Sequence, residues 1–290
     1  MMALLPRRRS MLIVAVLPRL LLAFTALWTL HAQAEVSPKW ELGLGLASLD
    51  APLYRGSDER RAYLLPVPYF QYHGEIFQIS RDRMRGLFWR SGPFELDFSV
   101  HGAVPVNSSE SVARRGMPDI DPTLEIGPSL NVHLYFEEQR QTNLDLRLPL
   151  RRVIAANLSH VAPQGWLFHP QLALSLRNVR QSGWNLGLVG GLLYADQPYH
   201  QYVYDVAPQY ATAARAAYGA AGGYSGAQVT TTFSRRYDGF WIGGFMRWDD
   251  VSGAAFVDSP LVNTRQTFAA GLMVSWIFFS SGKRVEVSND

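Results

Sequence analysis

Hydrophobic and polar residues alternate along most of this chain with a period of two. In TLEIGPSLNVHLYF, Thr123 to Phe136, the even positions are Leu124, Ile126, Pro128, Leu130, Val132, Leu134 and Phe136. The odd positions are Thr123, Glu125, Gly127, Ser129, Asn131, His133 and Tyr135. Such alternation predicts a strand with one apolar and one polar face. Its 14 residues exceed the roughly 5–6 usual in soluble sheets and suffice to cross a bilayer, which takes about 9–11 tilted residues.

The pattern recurs. Trp40 to Leu49, Tyr63 to Tyr72, Ile76 to Ser80, Arg85 to Arg90 and Phe94 to Val104 precede the stretch above. Thr142 to Val153, Trp166 to Arg177, Trp184 to Tyr194, Gly223 to Arg235, Gly239 to Trp248 and Gln266 to Phe279 follow it. This predicts twelve strands, or ten if the short segments near 76–90 are not strands. The connections fall into two sets. Those at 74, 91–93, 137–141, 178–183 and 236–238 are short. Those at 50–62, 105–122, 154–165, 195–222 and 249–265 are long, with one short exception near Asp82. Short turns at one end and long loops at the other define a transmembrane antiparallel β-barrel, its short turns in the periplasm. Aromatics at strand ends, Trp40, Tyr72, Trp89, Phe94, Phe136, Trp166, Trp184, Tyr194, Trp248 and Phe278, fit two interfacial girdles.

Residues 1–34 change the charge balance. Arg7, Arg8 and Arg9, the apolar run Met11 to Leu30 and the small-x-small site Ala32-Gln33-Ala34 form a secretory signal with a mature start at Glu35. Four of the 27 basic residues and none of the 24 acidic ones lie there, so the remainder carries a net charge of −1 and no nucleic-acid partner is implied. The chain has no cysteine, which excludes a disulfide framework and thiol chemistry. The domain plan is therefore a signal peptide (1–34), a barrel (35–279) and a periplasmic tail (280–290).

The polar faces predict lumen-lining residues: Glu95, Asp97, His101, Glu125, His133, Asp145, Arg147, His169 and Arg177. They would either select solutes or pair with one another and fill the lumen. In the first loop, Arg55, Arg60 and Arg61 are candidates for contact with lipopolysaccharide phosphates, since guanidinium forks match phosphate oxygens. Ser159-His160, and Ser175 near His169, do not form a legible nucleophile–base set, so no catalytic residue is assigned. The histidines show no metal-ligand spacing, and the GlyGly pairs lack a phosphate-loop context, so no metal or cofactor is expected.

Several segments resemble the MltA-interacting protein (MipA)/OmpV family of Gram-negative outer-membrane proteins. They are Tyr54-Arg55-Gly56-Ser57-Asp58, LPVPYFQY from Leu65 to Tyr72 (with Leu64 before it), Arg85-Gly86, DPTLEIGPSL from Asp121 to Leu130, and DSPLV from Asp258 to Val262. The resemblance implies an outer-membrane barrel that acts as a scaffold between a lytic transglycosylase and a penicillin-binding protein, without enzymatic activity of its own. It also admits a porin-like channel, or an adhesin or sensor working through the tyrosine-rich segment Ala195–Gly222. Such barrels usually end in an aromatic residue, whereas here Ser280 to Asp290 follow Phe279.

Overall fold

The computed structural model describes residues 36–74, 77–79, 84–86, 88–137, 141–157 and 160–286. The expected signal peptide, the connection near Asp82, Ser159 and the last four residues lie outside them.

A short strand, β1 (Val36–Pro38), precedes β2 (Trp40–Pro52), β3 (Arg60–His73), β4 (Phe77–Ile79), β5 (Met84–Gly86), β6 (Trp89–Ser91) and β7 (Phe94–Ala103). Then come β8 (Thr123–Glu137), β9 (Thr142–Ala156), β10 (Val161–Phe168), β11 (Gln171–Leu176) and β12 (Trp184–Ala195). A helix, α1 (Gln197–Tyr204), separates these from β13 (Gly223–Tyr237), β14 (Phe240–Asp250), β15 (Gln266–Ser280) and β16 (Arg284–Glu286).

From β2 to β15 these form one antiparallel sheet of twelve strands. β5 and β6 are two halves of one of them, and β10 and β11 of another. The sheet closes on itself: β4 pairs with β3 and β5, β6 pairs with β7, and β2 pairs with β15. Closure leaves no free edge, the condition for backbone to cross a hydrocarbon layer. The short segments near 76–90 are therefore strands.

The faces are inverted relative to a soluble protein. Leu44 on β2, Leu64 on β3, Leu188 on β12, Leu272 on β15 and Trp276 on β15 are exposed on the outside. Their strand neighbours Gly45, Tyr69, Gly191, Ala269 and Ser275 lie on the inner face. A continuous apolar belt of this extent is incompatible with water contact and marks a membrane-spanning barrel. Among the described residues no helix is long and apolar enough to cross a membrane.

The alternation is strict along β8 as far as His133, where the register slips by one residue. Beyond the bulge it is Tyr135, not Leu134, that pairs with the outward Leu144. The expected loop 154–165 is also shorter than the sequence pattern suggests. β9 runs to Ala156 and β10 resumes at Val161, paired residue for residue down to the bulge at Gly165.

The packed apolar core sits in the long loops. Tyr54, Val106, Ile120, Val203, Tyr204, Val206, Val251, Phe256 and Leu261 form one buried cluster drawn from four connections. This makes a cap at the outer end. The segment 195–222, expected as a tyrosine-rich contact surface, instead turns Tyr204 inward to stack on Phe256 at 3.6 Å between ring centres. Tyr199 of α1 packs on the inner wall against Val153, Leu167, Leu193 and Ala195. The cap therefore reaches into the barrel mouth. At the opposite end β1 and β16 pair as a two-stranded ribbon, so the residues just past Phe279 are not a free tail.

Candidate functional site

Three adjacent strands, β7, β8 and β9, place most of the predicted lumen residues on one wall. Register sets Glu95 opposite Asn131, Asn131 opposite Arg147, and His133 opposite Asp145. The side chains then pair. Arg90 Nη2 lies 2.6 Å from Glu95 Oε2, His133 Nδ1 2.9 Å from Asp145 Oδ1, and Arg147 Nη2 3.1 Å from Asp145 Oδ2. His133 Nε2 lies 3.6 Å from Glu95 Oε2, so this histidine stands between two carboxylates and hydrogen-bonds Asp145. Glu95 and Asp97 are buried within the barrel. A carboxylate out of water persists only with such partners, because removing one leaves an uncompensated charge costing several kcal/mol. Across the lumen Glu41 accepts from Arg236 Nη2 at 2.8 Å and from the Tyr69 hydroxyl at 3.0 Å.

A second cluster lies higher, under the cap. Glu125 and Arg151 are 3.3 Å apart and both buried. Arg151 Nη2 is 3.3 Å from His169 Nδ1, and His101 stands opposite Glu125 in the ladder while staying open to solvent. On the facing side Asp249 receives Arg55 Nε at 3.0 Å, Arg247 Nε at 2.9 Å and Gln228 Nε2 at 2.8 Å.

Arg55 is thus turned into the barrel onto a buried aspartate, which corrects its expected place facing outer-leaflet phosphates. The two DERR arginines stay at the surface. Arg60 bonds Asp50 Oδ2 and Phe268 O, each at 2.6 Å, and Arg61 bonds Glu110 and lies over Tyr63. Arg177 sits at the turn end, its amide donating to Gln141 O at 3.1 Å.

Sequence reading missed Arg151, Arg247 and Asp249. The odd-numbered face of β9 continues past Pro149 to Arg151, Val153 and Ala155, so Arg151 was legible by extending the pattern. Asp249 lay just beyond the assumed end of β14. It also missed His200, which is fully buried in the cap with Nδ1 2.6 Å from Ala221 O and Nε2 2.9 Å from Ser225 Oγ. Ser225 is buried too, so this Ser–His contact ties α1 to β13 and faces no substrate. By contrast Ser175 pairs with Gly187 and Asn143, away from His169.

Hydroxyls tie the loops of the cap to one another. Tyr204 donates to Arg55 O at 2.9 Å, and Tyr54 donates to Leu261 O at 2.9 Å. Burial pushes the Tyr54 phenol up to about 12, and that of Tyr204 also rises. Both are therefore neutral donors at any physiological pH.

Fold and site together define a membrane-spanning twelve-stranded β-barrel with a paired, charged lumen and a folded outer cap. Residues 42–278 match the family described as MltA-interacting protein MipA, and the chain belongs to that family. No curated protein shows significant similarity to it. Among solved structures it is similar to a porin, at 9% identity and TM-score 0.30, covering 83% of this chain and 100% of that one. It is also similar to Pseudomonas aeruginosa OpdO, at 10% identity and TM-score 0.27, covering 82% and 96%. A third is the Ralstonia pickettii toluene transporter TbuX, at 10% identity and TM-score 0.22, covering 87% and 72%.

Proposed function

We propose that this barrel resides in the Gram-negative outer membrane, exported by a cleaved signal, and acts there as a periplasm-facing docking scaffold. Its partners on this reading are a murein-cleaving lytic transglycosylase and a murein-synthesising penicillin-binding protein. Family membership supports it. The observation that carries it is the cap, whose loops bury Tyr54, Tyr204 and Phe256 in their own core rather than offering them to a partner outside. The periplasmic end instead offers the turns around Glu137–Gln141 and Asn178–Gly183 and the β1–β16 ribbon, whose two strands pair only with each other among the described residues and could take another strand. A stable interface buries about 800 Å² per partner, and the ribbon enlarges the surface that the short turns alone supply.

The test is in-cell cross-linking followed by capture. Full-length chain should retain both enzymes, and so should a variant in which a short linker replaces 197–222. Truncation after Ser280 should lose most of the capture. Equal capture by the truncated chain would sink the scaffold reading.

A porin-like role is the second reading, favoured by the solvent that reaches His101 and Arg147 inside the barrel. Steady conductance of the intact chain in a planar bilayer would make it primary. At the outer rim Arg60 and Arg61 remain proposed lipopolysaccharide contacts.

A further inference from the structure

The charges beneath the cap do not balance, and their unused hydrogen-bonding capacity is mostly that of donors. Three guanidinium groups, of Arg55, Arg151 and Arg247, face two carboxylates, of Glu125 and Asp249. Asp249 already accepts from Arg55, Arg247 and Gln228. His169 Nδ1 faces Arg151 Nη2, which can only donate, so Nδ1 accepts and the ring proton sits on Nε2. Among the described residues, the buried atoms of this cluster left without a partner then include Arg55 Nη2, Arg151 Nε, His169 Nε2–H and the hydroxyl of Thr267, which pairs with Asp249 in the ladder. All of them can donate. The one acceptor left over, Glu125 Oε2, lies 3.3 Å from Arg151 Nη1.

Buried donors without acceptors cost about 1–3 kcal/mol each, more when charged. The group that answers several donors and one surplus positive charge is an oxyanion, through charge-assisted hydrogen bonds. We propose that the lumen under the cap is a binding site for a small oxyanion, a carboxylate or a phosphate. Solvent reaches the site at His101 and at Arg247, whose side chain is 26% exposed and whose terminal nitrogens are not used by Asp249. Tyr199 of α1 packs on the inner wall against Val153, two residues along β9 from Arg151. The site is independent of any periplasmic partner, so its failure would leave the scaffold reading untouched.

The experiment is calorimetric titration of the refolded full-length barrel in zwitterionic detergent with inorganic phosphate and, separately, with acetate. Saturable one-to-one binding of at least one anion is expected, and which one binds distinguishes a phosphate from a carboxylate ligand. Arg247→Gln, which leaves Asp249 its bonds to Arg55 and Gln228, should weaken binding at least tenfold. Arg151→Lys, which keeps the charge but removes the fork, should do the same. Arg235→Gln, on the outer face over Trp184 and Tyr237, should leave binding unchanged. Heat-modifiable gel mobility confirms the fold of each variant, and if Arg151→Lys does not refold the Arg247→Gln result decides alone. No saturable binding of either anion to a folded barrel, or Arg247→Gln binding as tightly as the parent, would overturn the proposal.

Discussion

His200 has no contact with solvent and lies against the rings of Tyr204 and Phe256. Burial lowers its proton affinity below the ordinary 6.5. The Ala221 carbonyl raises it in part, Arg55 lowers it further and Asp196 raises it. An opened cap would therefore bind a proton that the closed cap refuses. The closed state keeps its full stability above the ordinary histidine range and loses it as pH falls through about 6.5, by up to about 1.4 kcal/mol per unit. Protease cleavage within 197–222 should accelerate between about pH 7 and about pH 5, and His200→Gln should flatten that dependence. An identical profile in the variant would place the acid sensitivity elsewhere. At the same scale, Phe256 is fully buried and stacked on Tyr204. Phe256→Ala should destabilise the cap by about 3–5 kcal/mol. That should appear as rapid proteolysis of the loops while the barrel keeps its heat-modifiable mobility.

At the scale of elements, pairing between β8 and β9 skips a stretch. Ile126 pairs with Arg152 and the next pair is Ser129 with Pro149, leaving Gly127 where the two backbones crowd. A Cβ at Gly127 would collide with the Leu150 carbonyl and lie 3.0 Å from the Arg151 Cα, whereas one at Gly190 meets nothing within 4 Å. Gly127→Ala should therefore cut the refolded fraction severalfold on a semi-native gel, and Gly190→Ala should leave it unchanged. Equal yields would mean that the strands shift apart at little cost. The alternation made β8 and β9 legible because each has one face in hydrocarbon and the other in the lumen. The bulge after His133 was not legible, since a slip of one residue is set by the partner strand and leaves no mark in composition.

On the scale of the whole molecule, the cap enters the barrel mouth and the ion pairs line the lumen beneath it. Bilayers carrying the intact chain should show little steady conductance, and replacing 197–222 with a short linker should raise it several-fold. Steady, large conductance from the intact chain would mean that the cap does not obstruct the lumen. The lumen wall of β7, β8 and β9 was readable from the sequence through inward-facing Glu95, Glu125, His133, Asp145 and Arg147. Arg55 was misplaced because a loop arginine carries no periodic signal. Its direction is fixed by Asp249, 194 residues away.

The one-dimensional pattern determined that this chain is a closed antiparallel barrel, because a membrane imposes one solvent on one face of every strand, and that constraint repeats at every second residue. It also determined which end carries long loops. Tertiary structure alone decided that those loops pack into a cap, that Tyr204 and His200 are interior, and which lumen charges meet. These depend on contacts between distant segments, whose partners are brought together only when the sheet closes.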